Sequence, residues 1–286
     1  MKLLRIGPAT VERPAVLLDD STALDLASVV DDFGPPFFAN GGLDLVRDAV
    51  ANGANELPRI LLAGQRIGAP IARPYKILCI GLNYVDHARE SGLEAPSEPV
   101  LFAKATNTMI GPNDDIWLPR NSAQVDFEVE LGVVIGAEGR YLSDREAARQ
   151  IIAGYCISHD VSERTFQNER GGQWIKGKSC ETFNPLGPWL VTSDEVSNLA
   201  DLKLELRLNG EAQQHGTTAD MIFDVEHIVW YLSQFLVLEP GDLINTGTPA
   251  GVGMGQNPPR YLRNGDVVEL EIGGLGAQRQ TVRPTP

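Results

Sequence analysis

Short apolar runs separated by turn residues dominate the chain and predict a fold built mainly from β-strands. The dipeptide Asn209-Gly210, placed between two alternating segments, is a strong signal for a β-hairpin. The predicted strands are Leu3–Ile6, Ala15–Leu18, Lys76–Ile80, Val100–Ala103, Val125–Ile135, Ile151–Ser158, Leu204–Leu208, Asp242–Asn245 and Asp266–Ile272.

Three segments have helical rather than strand periodicity. An amphipathic helix is predicted near Leu43–Ala51. A second is predicted over Ser143–Gln150, with Ser143 as its N-cap and Glu146 three residues further on, and a third over Asp224–Phe235 with an acidic cap. Together, these elements predict a mixed, β-rich α+β fold.

A stretch rich in proline and glycine, Gly68–Pro74, interrupts the pattern and predicts a domain boundary. Residues 1–70 are predicted to form a small N-terminal domain, and residues 71–286 a larger domain that carries the chemistry.

Charge and cysteine content exclude several classes of protein. The 286 residues contain 24 Lys+Arg and 38 Asp+Glu, a formal charge of −14, which excludes a nucleic-acid partner bound through a basic surface. The three scattered cysteines, Cys79, Cys156 and Cys180, argue against a disulfide framework. No segment is typical of a targeting signal or a membrane span, so we expect a cytoplasmic protein without a membrane partner.

The most informative segment is Val125–Ile135, where strand alternation places Glu128 and Glu130 on one face with Asp126. A surface strand with its polar face in water would give the same alternation. However, the apolar continuation indicates a buried strand, in which adjacent carboxylates repel each other unless a proton or a cation intervenes. Because all these candidate ligands are oxygen atoms, the sequence favours Mg²⁺ or Mn²⁺.

A third carboxylate is predicted where the apolar run Ile151–Ser158 ends in His159-Asp160. Asp160 can serve as a metal ligand at the end of a strand, or alternatively as the N-cap of a following helix.

The segment Gly81–Glu90 follows a strand and contains a candidate general base. In a short helix His87 and Glu90 lie at i and i+3, so the carboxylate can orient the imidazole. A surface ion pair is the alternative interpretation. The other histidines, at positions 159, 215 and 227, are interpreted as structural.

Two glycine-rich segments are candidates for ligand binding. Gly171–Leu190 contains Lys178 among glycines and aromatic residues, and we expect residues 164–180, the lysine segment, to be mobile and to close over an anion. The second, the glycine-rich loop of residues 245–255, has backbone N–H groups that could hold a carboxylate. It lacks the helix that a dinucleotide-binding motif requires.

Six motifs in order make residues 76–272 resemble the fumarylacetoacetate hydrolase family. They are Asn-Tyr-x-x-His-x-x-Glu, Phe-x-Lys, Asp-Phe-Glu-x-Glu-Leu, Asp-Val-Ser-x-Arg-x-x-Gln, Lys-x-x-x-Thr-x-x-Pro-x-Gly-Pro and Thr-Gly-Thr-Pro-x-Gly-Val-Gly. The resemblance implies a sandwich-like or rolled-barrel β-structure as the catalytic domain, a small N-terminal domain, and a homodimer or dimer-based oligomer.

The resemblance also implies a role for each site residue. Glu128, Glu130 and Asp160 would bind the metal, with no fourth carboxylate ahead of the dyad. The catalytic group would comprise His87 and Glu90 as the dyad and Lys178, Gln167 and Arg164 as anion-stabilising side chains, while Thr248 would contact the substrate carboxylate.

The implied chemistry is Mg²⁺- or Mn²⁺-dependent cleavage of a C–C bond in a small 2-oxo or 2,4-dioxo acid. The polar loop 167–173 favours a subgroup that acts on 2,4-dioxo-3-deoxy sugar acids. Acylpyruvate hydrolysis, oxaloacetate decarboxylation, ureidoglycolate lyase activity and hydroxymuconate-type isomerisation are alternatives within the family. A protein that binds a cation without catalysis would leave the His87–Glu90 pair and Lys178 without a role.

Overall fold

A computed structural model describes residues 1–90 and 92–286 of the chain. The strands are β1 (Lys2–Ile6), β2 (Arg13–Asp19), β3 (Thr22–Asp25), β4 (Arg59–Leu61), β5 (Ile67–Gly68), β6 (Ile77–Gly81), β7 (Val100–Lys104), β8 (Met109–Ile110), β9 (Ile116–Leu118), β10 (Val125–Asp126), β11 (Val129–Ile135), β12 (Ile152–His159), β13 (Ser162–Glu163), β14 (Asn184–Thr192), β15 (Lys203–Leu208), β16 (Glu211–Thr217), β17 (Leu243–Asn245), β18 (Val267–Ile272) and β19 (Gly276–Pro284). The helices are α1 (Pro35–Ala39), α2 (Gly42–Gly53), α3 (Val85–Glu90), α4 (Arg145–Gln150), α5 (Arg164–Asn168), α6 (Ile175–Lys178) and α7 (Val225–Ser233).

The principal sheet has twelve strands, with the order β4-β3-β2-β1-β14-β12-β11-β17-β6-β7 and with β5 and β8 attached to β1 and β14. Most neighbours are antiparallel, whereas β17 runs parallel to β6 and β8 runs parallel to β14. A second sheet of five strands has the order β16-β15-β18-β19-β9. Extensive sheet with few helices confirms the predicted β-rich α+β fold.

The main core lies between the two sheets. Alternate residues of β11, namely Val129, Leu131 and Val133, pack with apolar residues of β15 and β18. The opposite face of the principal sheet carries Val134, which joins a second apolar cluster containing Phe37 of α1. Both faces of β11 are therefore buried, and the surface-strand interpretation of this segment is wrong.

The strands of residues 1–70 continue the same sheet, because β1 pairs with β14 and aligns Leu3 with Leu190. An ion-pair network crosses the same region, in which Arg66 contacts both Glu12 and Asp114. The division at residue 70 stays a prediction.

Local signals predicted several elements well. Asn209 and Gly210 both have positive φ angles, 54° and 82°, as a two-residue turn between β15 and β16 requires. Helix α7 is capped by Asp224, as predicted. The N-cap of α4 is Asp144 and not Ser143, because the Asp144 carboxylate accepts the Ala147 N–H at 2.9 Å.

The predicted strand Val125–Ile135 is interrupted at residues 127 and 128. Its first part, β10, pairs with β13, and its second part, β11, pairs with β12 and β17. Among the described residues no helix is long and apolar enough to cross a membrane.

Candidate metal centre and active site

Three carboxylates converge where β11 and β12 lie side by side. Glu128 occupies the interruption before β11, Glu130 lies within β11, and Asp160 directly follows β12. The register aligns Val129 with His159, and the Asp160 N–H donates to the Glu128 carbonyl at 3.0 Å. One oxygen from each carboxylate lies within 4.8 Å of the others, and all three side chains are buried.

Asp160 is not a helix N-cap. Helix α5 begins at Arg164, and its cap is Glu163, whose carboxylate accepts the Phe166 N–H at 2.6 Å. The Asp160 carboxylate instead faces the cluster and two lysines. The structure therefore brings Asp160 together with Glu128 and Glu130, and its role as a metal ligand stays a prediction.

Protein cations bind two of the three carboxylates tightly. Lys178 Nζ donates to Glu128 Oε2 at 2.6 Å and to Asp160 Oδ2 at 2.8 Å, and Arg164 Nη2 donates to Glu128 Oε1 at 2.7 Å. Lys104 Nζ donates to the second oxygen of Asp160 and to the Val161 carbonyl. Each of these side chains is buried, so solvent screens the pairs little.

Glu130 differs from its neighbours. Its carboxylate accepts the Gly247 N–H at 2.8 Å. Burial and repulsion from Asp160 and Glu128 raise its pKa well above the ordinary value. Burial also acts on Glu128, but Lys178 and Arg164 outweigh it and hold the pKa of Glu128 well below its usual range.

The cluster has the composition of a site for a hard divalent cation. Counted as ionised and with Asp126 included, four carboxylates contact or adjoin three cations, Lys104, Arg164 and Lys178, which leaves one formal negative charge, that of Glu130, without a cationic partner; this is the charge that its raised pKa disfavours until a cation binds. Three oxygen donors converge where that excess lies, and oxygen donors are what Mg²⁺ and Mn²⁺ prefer. The residues present therefore fit the predicted metal.

The predicted dyad forms on α3. His87 Nδ1 lies 3.4 Å from Glu90 Oε2, and His87 is buried at the edge of the cavity. Glu90 is held in turn by the Gly251 N–H, which lies 3.0 and 3.2 Å from its two oxygens. When Nδ1–H donates to Glu90, Nε2 is the basic nitrogen.

The glycine-rich loop binds the protein's own carboxylates. Its N–H groups donate to Glu130 from Gly247, to Glu90 from Gly251, and to Asp126 from Gly253 at 2.6 Å and Met254 at 3.0 Å. These N–H groups were predicted to hold a ligand carboxylate, and the structure shows them occupied. The loop instead fixes the dyad, the metal cluster and Asp126 relative to one another.

Thr248 lines the cavity, but its hydroxyl already has two partners. It donates to the Val129 carbonyl at 2.9 Å and accepts from Gln214 Nε2 at 2.8 Å. Its contact with a substrate carboxylate stays a prediction. To donate to that carboxylate, the hydroxyl would have to break its hydrogen bond to the Val129 carbonyl.

In the lysine segment, Lys178 already lies against the cluster. Gly177 packs so closely on Glu163 and Gln167 that a Cβ there would collide with their backbone. Lys176, on the same short helix, is exposed and donates to the Arg170 carbonyl. Bringing Lys178 to the site thus requires no closure, and movement of the remaining segment stays a prediction.

The side chains predicted for catalysis surround one cavity of about 310 Å³. Its charged and polar lining comprises His87, Glu128, Glu130, Arg164, Gln167, Asn168, Lys178 and Thr248. Asp160 and Glu90 lie behind this lining, in contact with Lys178 and His87. Within the polar loop 167–173, Glu169, Arg170 and Gln173 are exposed and do not line the cavity.

The sequence shows Asp126 on the acidic face of its strand and Lys104 in the motif Phe-x-Lys, but sequence reasoning gave neither residue a role. Asp126 accepts Arg164 Nε at 2.8 Å and the two loop N–H groups, and Lys104 neutralises Asp160. A lysine at the end of an apolar strand is the signal that could have identified Lys104, because a buried ammonium requires a carboxylate partner. Among the other histidines, His159 is buried against Gln280, and burial lowers its pKa to about 4.

Comparisons with known proteins show which family the chain resembles over most of its length. A family model described as the C-terminal domain of fumarylacetoacetate (FAA) hydrolase matches residues 76–283. A Burkholderia multivorans protein named only as a hydrolase is 48% identical over 285 residues, 99% of each chain.

Two solved structures are similar over nearly their whole length. A 2-hydroxyhepta-2,4-diene-1,7-dioate isomerase from Mycobacterium marinum is 34% identical with a TM-score of 0.78, covering 100% of this chain and 99% of that chain. A maleylpyruvate hydrolase from Sphingobium sp. SYK-6, solved with manganese(II) ion and pyruvate, is 26% identical with a TM-score of 0.83 and full coverage of both chains.

Proposed function

The chain belongs to the fumarylacetoacetate hydrolase family, and from that membership and its buried carboxylate cluster we propose that it is a divalent-metal-dependent hydrolase of 2,4-dioxo acids. The observation that carries the proposal is the convergence of Glu128, Glu130 and Asp160 beside a His–Glu dyad and a buried lysine. The similar maleylpyruvate hydrolase, solved with manganese(II) and pyruvate, supports both the kind of metal and the kind of acid.

Glu128, Glu130 and Asp160 would hold Mg²⁺ or Mn²⁺. A divalent cation bound there would act as a Lewis acid toward the 1-carboxylate and 2-oxo oxygens of a 2,4-dioxo acid.

In this proposal the dyad activates water. His87 Nε2 would remove a proton from a water molecule that attacks the 4-oxo carbon, while Glu90 holds the ring and stabilises its charged form. The C3–C4 bond then breaks, its electron pair is protonated at C3, and pyruvate and a carboxylic acid are released.

Lys178 is the best placed of the anion-stabilising side chains. Two of its three N–H bonds go to Glu128 and Asp160, which leaves one for the developing oxyanion. Burial opposes the charge of Lys178, but Asp160 and Glu128 outweigh it and raise its pKa, so it stays protonated. Arg164 already donates to Asp126, Glu128 and Gln167, so its first effect is to orient these groups.

The apolar part of the cavity lining, which we call the tail end, supports an apolar tail. It consists of Leu82, Leu93, Phe102, Trp174 and Met254, with Asn168 as the polar side chain contributed by the loop 167–173 beyond Gln167. The sugar-acid tail predicted from that loop would place several hydroxyls against these apolar side chains. We therefore propose a simple acyl tail, and the sugar acids become the alternative that the assay decides.

The test is a panel of 2-oxo and 2,4-dioxo acids, acylpyruvates and sugar-derived acids included, assayed for pyruvate and lactate release with Mg²⁺ or Mn²⁺ and with a chelator. Release from acylpyruvates that the chelator abolishes is the expected result. Failure of every substrate, or full turnover in the chelator, would overturn the proposal. Loss of a 2-hydroxydienoate without pyruvate release would assign the chain to isomerisation instead.

A further inference from the structure

The tail end of the cavity includes a wall of two aromatic side chains. Phe102 on β7 and Trp174 before α6 meet edge to face, with ring centroids 5.2 Å apart. Lys178 Nζ lies 5.1 Å from the centre of the Phe102 ring. The wall therefore begins directly beside the proposed oxyanion-binding lysine.

A second cavity shares this wall. It measures about 470 Å³, and its lining consists of Val100, Leu101, Ala103, Gly172, Gln173 and Ile175 together with Phe102 and Trp174. Among the described residues, Phe102 and Trp174 line both cavities. The pair therefore borders the catalytic cavity and a second, more exposed space with several apolar lining residues.

Glycines in the surrounding chain make room for the Trp174 side chain. Gly81, the last residue of β6, lies beneath the indole, and a Cβ there would come within 2.6 Å of the Trp174 ring. The chain approaches Trp174 through Gly171 and Gly172, whose φ angles of 86° and 76° disfavour other residues. The Trp174 carbonyl accepts the N–H groups of Gly177 and Lys178, so its backbone also holds the lysine helix.

We propose that Trp174 determines substrate specificity by limiting the length of the tail. This inference rests on the proposed function, because the tail is the part of a 2,4-dioxo acid that points away from the carboxylate cluster. A short acyl tail fits against the indole, whereas a long one would need the space behind it. Without the indole, the two cavities would join into one apolar channel.

The experiment compares acylpyruvates with acetyl, butanoyl, hexanoyl and octanoyl tails. We expect the wild type to prefer the shorter tails. Trp174→Ala should raise the octanoyl-to-acetyl ratio of kcat/KM by about 10–100-fold, the scale on which hydrophobic pockets discriminate. Trp174→Phe should give an intermediate ratio, and it keeps an aromatic packing group if the alanine variant folds poorly.

Ile175→Ala is the matched control, because Ile175 lines only the second cavity and is 46% exposed. It enlarges that space and leaves the wall in place, so the ratio should not change. An unchanged ratio in both Trp174 variants, or an equal gain in Ile175→Ala, would overturn the proposal.

A binding measurement separates this proposal from the proposed function. Calorimetric titration with 2-oxobutanoate, 2-oxohexanoate and 2-oxooctanoate in Mg²⁺ uses the same head group without a scissile bond. One outcome is that no acylpyruvate is hydrolysed, but affinity falls with the length of the 2-oxo acid in the wild type and not in Trp174→Ala. The hydrolase assignment would then be wrong, and the role of Trp174 in limiting tail length would be supported. If affinity is independent of length in both proteins, the wall is refuted whatever the assays show.

Discussion

The two ends of the cavity are built on different physical principles. At the carboxylate end, the charged groups form a chain of hydrogen bonds. Arg164 donates to both Asp126 and Glu128, and Lys178 also donates to Glu128. At the tail end, the wall consists of ring contacts and apolar side chains, some of them largely exposed, such as Leu93 at 53%. The first end fixes the positions of charged groups through directional hydrogen bonds, whereas the second only excludes volume.

This difference predicts how each end tolerates change. A buried charge that loses its partner costs several kcal/mol, so substitutions among the linked groups should impair chemistry, stability or both. An apolar contact at a partly exposed wall contributes little, so substitutions there should shift preference among substrates. The chemistry is therefore expected to vary less among related chains than the choice of tail.

The largest effect is expected from Glu130→Gln. An amide oxygen can still accept the Gly247 N–H, but the charge that no protein cation contacts is lost. Divalent-ion binding, measured by calorimetry, should disappear, and activity should fall by more than about 10²-fold. Even substitution of a residue that only hydrogen-bonds to a metal ligand typically lowers metal affinity or activity by about 10–100-fold.

The comparison with Glu128→Gln sharpens this prediction. Glu130→Gln relieves repulsion and should leave the melting temperature of the metal-free protein unchanged or higher. Glu128→Gln weakens the pairs to Arg164 and Lys178 and should lower it. Retention of full metal affinity by Glu130→Gln would contradict the ligand assignment.

The next effect is expected from His87→Ala, which removes the proposed general base. For a hydrolytic reaction kcat should fall by about 10²–10⁴-fold. Arg89→Ala, on the exposed side of the same helix, is the matched control and should be close to wild type. A small loss in His87→Ala would indicate a reaction without an attacking water, such as decarboxylation.

Lys178→Met should cost about 10²-fold or more in kcat, with a smaller change in KM, as for other oxyanion-stabilising donors. Methionine keeps the length of the side chain and deletes the charge. Lys176→Met makes the same change two residues away at an exposed position and should be silent. The reverse outcome would show that the wrong lysine has been assigned.

The smallest effect is expected from Leu93→Ala at the tail end. Because Leu93 is largely exposed, the variant should raise KM for an acylpyruvate by less than about 10-fold and leave kcat unchanged, the signature of uniform binding. Steady-state kinetics on acetylpyruvate and hexanoylpyruvate test this. A large loss of kcat would mean that the tail end also positions the reacting atoms.

Sequence reasoning succeeded where a local rule decides geometry. Helical spacing brought His87 to Glu90, and an apolar run ending in His159-Asp160 placed Asp160 at a strand end. It failed where distant segments compete for the same group. Nothing local shows that the N–H groups of residues 247–254 bind Glu130, Glu90 and Asp126.

The interruption of the strand Val125–Ile135 has a similar cause. Period-2 alternation continues through Phe127 and Glu128, so the sequence shows no break there. The break arises because β10 pairs with β13, whereas β11 pairs with β12 and β17. It is this change of partner that carries Glu128 to the place where Arg164 and Lys178 both reach it.

The pairing of β1 with β14 has a consequence for how the chain folds. Leu3 aligns with Leu190, so the outer strands β1 to β4 reach the rest of the sheet through a contact between residues far apart in sequence. Contacts between residues so far apart in sequence form slowly, because a long stretch of chain loses conformational entropy before the contact stabilises it. Until β14 is in place, Lys2 and Leu3 at the start of β1 have no partner on the edge where β5 pairs only with Arg5 and Ile6, and unpaired edges of this kind favour aggregation. Refolding yield should therefore depend on protein concentration more steeply than the recovery of secondary structure does.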